Sequence, residues 1–155
     1  MNTFFLAANL ANYAAEFLLF LAASVAAWRW GGPAARAGAL VNLAAWLLTT
    51  PANFLPIGET QQMYLVCALD LLAAAGFLFV AARYNSLWIA TAVLAEGVQT
   101  CVDVVYVGEG SSLDRIHHFL VGATDSAFTW AIQIAILGAA LADRRRLASG
   151  ASVRV

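Results

Sequence analysis

Lysine is absent from this chain and only 11% of its residues are charged, against roughly 25% in an average soluble domain. A soluble protein of 155 residues needs far more charge to cover its exterior, so lipid has to be the solvent for most of the surface. The eight basic residues are all arginines, set in short clusters between apolar runs. They form no basic face that could track a phosphate backbone, which excludes nucleic acid as a partner. Cysteine is nearly absent too. Cys67 and Cys101 fall inside apolar runs, far from any metal-binding spacing, and read as buried free thiols. The N-terminus has neither the basic stretch nor the cleavage site of a signal peptide, so its first apolar run is expected to stay attached. Catalytic signatures are missing as well: there is no G-x-S-x-G, H-E-x-x-H, Walker loop or dinucleotide fingerprint. The sequence therefore leans away from an enzyme and indicates no cofactor.

What the chain has in abundance is hydrophobic residues, 63% of the total, gathered into five runs. A bilayer core of about 30 Å takes about 20 helical residues, and the runs predict an all-α bundle of five transmembrane helices in a single domain, 1–147. Their expected bounds are 3–28, 34–57, 61–82, 87–107 and 114–142, with a disordered tail over 148–155. Trp28 and Trp30 beside Arg29 form an interfacial anchor, and Trp88 marks the start of the fourth run. Pro51 and Pro56 interrupt the far end of the second run, predicting a kink and fraying towards Gly58, with Thr49 and Thr50 able to bond backbone groups that the proline leaves free.

Arginine bias gives an orientation. Arg29, Arg36, Arg83, Arg144, Arg145, Arg146 and Arg154 fall on one set of connections; Glu59, Glu109 and Asp114 fall on the other, with Arg115 as the lone positive charge there. Five spans separate these sets without conflict, placing the N-terminus outside and the C-terminus in the cytoplasm of a bacterial cytoplasmic membrane.

Polar residues inside the runs carry the functional information. An ionisable group at mid-membrane costs about 2.5–3.5 kcal/mol on insertion scales. Glu16 lies near the middle of the first run, Asp70 about nine residues from the outer end of the third, and Glu96 about nine from the inner end of the fourth. No Arg or Lys shares that depth, so a salt bridge does not hold these carboxylates. Each either carries its proton or shares a cation or a polar ligand. Further polar positions fall at helical spacing: Asn9, Asn12 and Glu16; Glu96, Thr100 and Asp103 with Gln99 alongside; His118, Gly122, Asp125, Thr129 and Gln133. Such stripes face protein or a water-filled cavity. The expected result is a polar seam with Glu16, Asp70 and Glu96 midway and Asp103, Asp125 and His118 nearer the outer mouth.

The plainer interpretation is helix packing. Asn9, Asn12, Asn42, Gln99 and Gln133 can hydrogen-bond across helices at around 1 kcal/mol or less each, and Gly76, Gly97, Gly122 and Gly138 allow close approach. For the carboxylates this account is weaker, because an amide would bind helices together without a charging penalty. His117 and His118 read as a solvated interfacial pair, and His118 and Asp125 lie about 10 Å apart along an axis, too far to share one metal ion. Trp46 and Trp130, near mid-membrane, read as packing or as the wall of a lipophilic pocket.

Two functional classes follow. The first is a subunit of a membrane assembly, with the lipid bilayer and other membrane subunits or copies of itself as partners and no chemistry of its own. The second is a proton- or cation-linked transporter or channel using Glu16, Asp70, Glu96, Asp103, Asp125 and His118. Weaker alternatives are a lipophilic-ligand binder or membrane enzyme, and a lytic pore-former.

Overall fold

A computed structural model describes the backbone of residues 3–52, 55–109 and 115–149, and the side chains of 11–52, 55–58, 61–102, 104–105 and 126–149. The described residues form five helices and no strand: α1 (Thr3–Trp30), α2 (Pro33–Ala52), α3 (Glu59–Tyr84), α4 (Leu87–Glu109) and α5 (Arg115–Ala148). Helix is what lipid demands, since every backbone polar group must be satisfied within its own segment. Three helices, through Ala11–Trp30, Gln61–Tyr84 and Ser126–Ala148, are long and apolar enough to cross a membrane, and α4 adds a shorter apolar stretch, Leu87–Val102. Arg36, Asn42 and two threonines make the 20-residue α2 more polar than these.

Helix ends follow local chemistry. α1 runs through Trp30, two residues beyond the expected end, and closes with the Gly31 amide on the Ala27 carbonyl at 3.0 Å. A side chain at Gly31 would stand 2.6 Å from that carbonyl and 2.7 Å from Ala35 Cβ, so this turn takes only glycine. α3 ends on Asn85 in the left-handed region (φ 46°), whose N–H bonds the Ala81 carbonyl, and Asn85–Ser86 alone connects it to α4. α2 stops at Ala52 rather than near 57. Pro56 has no N–H to offer the Ala52 carbonyl one turn back, and it drives Leu55 towards extended backbone. α5 continues to Ala148, carrying Arg144, Arg145 and Arg146 as helix rather than as a boundary. Its 34 residues reach about 51 Å, well beyond a bilayer core. The expected disordered tail lies almost wholly outside the described residues.

The helices close into a ring in chain order. Each packs on its sequence neighbours, α5 packs back along α1, and α2 and α5 also meet directly. Antiparallel neighbours follow from the short connections. The ring's core is made mostly of alanine: Ala23, Ala26, Ala27, Ala35, Ala39, Ala92, Ala95 and Ala140 surround Phe77, Val80, Ile89, Ile132 and Ile136. Small residues let helices approach closely where no hydrophobic effect drives them together. Trp88 lies so close over Gly38 that an added Cβ would sit 2.6 Å from its ring. The large apolar side chains point outward instead, with Leu87 at 87%, Phe79 at 71% and Leu94 at 69% exposure. An exterior covered by large apolar side chains is the pattern of a lipid-facing bundle.

At the end bearing most of the arginines, polar contacts tie α5 to the α1–α2 turn. The Gly32 amide donates to Asp143 Oδ2 at 2.8 Å, and Arg146 stands 3.9 Å from Asp143 Oδ1. The Arg144 guanidinium lies 4.4 Å from the centre of the Trp30 ring, which Arg29 also approaches at 5.9 Å, within cation–π range.

Candidate functional site

Inside the ring, beyond the alanine core as seen from the arginine end, lies a cavity of about 140 Å³. Asn42, Trp46 and Thr49 of α2, Asp70 of α3, Glu96 and Gln99 of α4, and Thr129 and Gln133 of α5 supply its polar and aromatic wall. At about 30 Å³ per water the space suits a few waters or a small solute. Asn42 and Glu96 each lie nine residues from the arginine end of their helices, and Gln133 lies ten before Asp143. At 1.5 Å per residue that is about 14 Å, or roughly half of a bilayer core.

Asp70 and Glu96 are each 7% exposed, Gln99 9% and Gln133 2%. Among the described residues no arginine lines this cavity, and the carboxylates share its wall with amides, hydroxyls and the Trp46 indole. Two amides have an atom left over. Gln133 Oε1 and Asn42 Nδ2 are buried and find no hydrogen-bond partner among the described residues. An unsatisfied buried polar atom costs about 1–3 kcal/mol, and here both belong to residues of the same cavity wall, on helices that meet across the ring. Trp46 is held by aromatic stacking from α1: its ring centre is 5.2 Å from that of Phe20 and 5.6 Å from that of Phe17.

The anticipated carboxylate trio divides. Asp70 and Glu96 share the cavity, whereas Glu16 is absent from its wall and is engaged at the α1–α5 seam. There Asn12 Nδ2 donates to Glu16 Oε1 at 2.7 Å and to Ser126 Oγ at 3.2 Å. Thr100 spends its hydroxyl on the Glu96 backbone carbonyl at 2.8 Å rather than on the seam. Thr49 likewise donates to the Ala45 carbonyl at 2.9 Å, not to the Leu47 carbonyl that Pro51 leaves without a donor. The side chains of Asn9, Asp103, His117, His118 and Asp125 lie outside the described residues, so the outer mouth expected from them does too. Among the described residues no group of three His, Cys, Asp or Glu is arranged to hold a metal ion. Cys67 is buried, as expected, but Cys101 is exposed on the outside of α4: it occupies an outward position of that helix, beside the buried Thr100.

In the sequence, Asn42 and Gln133 read as helix packing. Periodicity marks a polar face, but only the packed ring shows which of its hydrogen-bonding atoms go unused. A second, wider cleft of about 680 Å³ opens at the arginine end between Arg83, Ser86, Trp88, Asp143 and Arg146. Comparison of the chain with protein-family models, with curated proteins and with solved structures finds no match in any of the three.

Proposed function

We propose that this chain is a multi-pass membrane protein that moves protons or cations through its helical ring, acting as an oligomer. One observation carries the reading: two buried carboxylates from adjacent helices, Asp70 and Glu96, line a single cavity with amides and, among the described residues, no basic side chain. Buried carboxylates at membrane depth are a recurring device of proton relays and ion pathways. In this reading all five helices span, the N-terminus is outside, and the arginine end faces the cytoplasm of a bacterium, as the arginine bias favours. The alanine core then lies between the cavity and the cytoplasm, so the ion reaches Asp70 and Glu96 from the outer side. Passage inward requires the helices around Ala39, Ala92 and Ile136 to part, which small side chains permit with little interdigitation to undo.

Flux into proteoliposomes tests it. Asp70→Asn and Glu96→Gln are each expected to lower proton or cation flux by at least about tenfold, equivalent to about 1.4 kcal/mol on the barrier. Unfolding midpoints in detergent verify that both variants fold. Wild-type flux in both folded variants would sink the proposal.

A second reading, as a subunit of a larger membrane assembly, is supported by α5. Gly138 is exposed, and an added Cβ there would meet nothing within 4 Å, so the packing of this chain makes no use of the glycine. An outward glycine suits close approach by a partner helix. Under this reading Gly138→Leu shifts the native mass of the purified complex to that of a single chain. An unchanged mass removes it.

A further inference from the structure

Resting on the transport reading, we infer that the cavity is a binding site for a monovalent alkali cation, held by the amide oxygens of Gln133 and Asn42 together with the Asp70 and Glu96 carboxylates. A relay for protons alone needs carboxylates and water, and gives no role to amides held ready with unused atoms. Gln133 is 2% exposed, lines the cavity, and its Oε1 accepts from no described residue. Asn42 Nδ2 is unused on the same wall. Rotating that amide by 180° exchanges nitrogen for oxygen at the same point, giving a second neutral oxygen from the helix that meets α5. Thr49 and Thr129 border the same space. An oxygen-only donor set is the chemistry of hard cations. Among the described residues the wall has no histidine or cysteine, and no trio of His, Cys, Asp or Glu is grouped for a metal ion. Those facts argue against zinc and other transition metals, and with one of the two neighbouring carboxylates protonated the site carries a single negative charge, which suits reversible binding of a singly charged ion. The volume, about 140 Å³, accommodates an ion that keeps part of its hydration.

The purified full-length protein is to be melted in detergent with sodium, potassium, calcium or N-methyl-glucamine chloride at matched ionic strength. A ligand that binds only the folded state raises the midpoint, by about 5–10 °C for a chain of this size at roughly one hundred times its dissociation constant. Sodium or potassium is expected to give such a rise over N-methyl-glucamine, and Gln133→Leu to abolish it; Asp70→Asn serves as the second variant. Each variant's midpoint in N-methyl-glucamine reports whether it folds, and if neither does, the wild-type comparison decides alone. No rise with either alkali ion, a rise with calcium only, or an undiminished rise in folded Gln133→Leu overturns the assignment. The transport reading is judged separately. Carboxylate-dependent proton flux without an alkali effect leaves transport standing and removes this site, whereas an alkali effect without flux does the reverse.

Discussion

At the residue scale, the unusual feature is how polar groups are divided between backbone service and the cavity. Thr100 and Thr49 each bond a carbonyl four residues back, a habit of hydroxyls within helices, and are thereby removed from any role as donors to a ligand. Asp143 is a comparable case at the arginine end: its Oδ2 accepts from the Gly32 amide and its Oδ1 faces Arg146. Asp143→Ala leaves the Gly32 N–H without its acceptor and is expected to lower stability by about 1–2 kcal/mol. Asp143→Asn, whose amide oxygen can take the same bond, is expected to retain most of it. Unfolding midpoints of the two variants in one detergent make the comparison. Equal midpoints for wild type and Asp143→Ala would show that the bond contributes nothing.

At the element scale, most of the architecture was legible beforehand. The starts and stops of α3, α4 and α1 fall within a few residues of where apolar runs meet Gly, Asn, Arg and Pro, because those residues act locally. α2 and α5 differ from the expected bounds at one end each. For α2, hydrophobicity continued through Leu55 and Ile57, but proline geometry ended the helix first. For α5, the arginine run reads as a terminus in sequence, but arginine is a good helix former and the Arg144 stem reaches back over Trp30. Packing between elements rests on small residues, as the Gly38–Trp88 contact shows most sharply. Gly38→Leu forces the indole away and is expected to cost about 1–3 kcal/mol, with Trp88→Ala in the same chain recovering part of the loss. A double-mutant cycle on unfolding midpoints measures the coupling, and simple additivity would refute the contact.

For the whole molecule, the ring joins a small-residue core at the arginine end to a polar cavity about midway along the helices, under an apolar exterior. This division suits a solute site reached from the end opposite the arginines. The orientation proposed for the chain is open to direct measurement. A fluorescent protein fused after Val155 is expected to fold and fluoresce in bacteria, whereas alkaline phosphatase at the same point is expected to be inactive. The reverse pattern would invert the topology and with it the direction from which the cavity is approached.

The sequence by itself determined the membrane character, the helical architecture and the helix count, because each follows from the length and composition of apolar runs. It also marked Glu16 as costly, through the absence of any basic residue at its level. Only the tertiary structure decided that Glu16 belongs to an α1–α5 seam with Asn12 and Ser126, while Asp70 and Glu96 face one another's cavity. Depth is a coordinate along one axis, and rotation about that axis is set by packing against neighbours. The same limit hid Gln133 and Asn42. An amide's periodicity shows that it turns inward, but whether its atoms find partners depends on which groups three other helices bring to meet it.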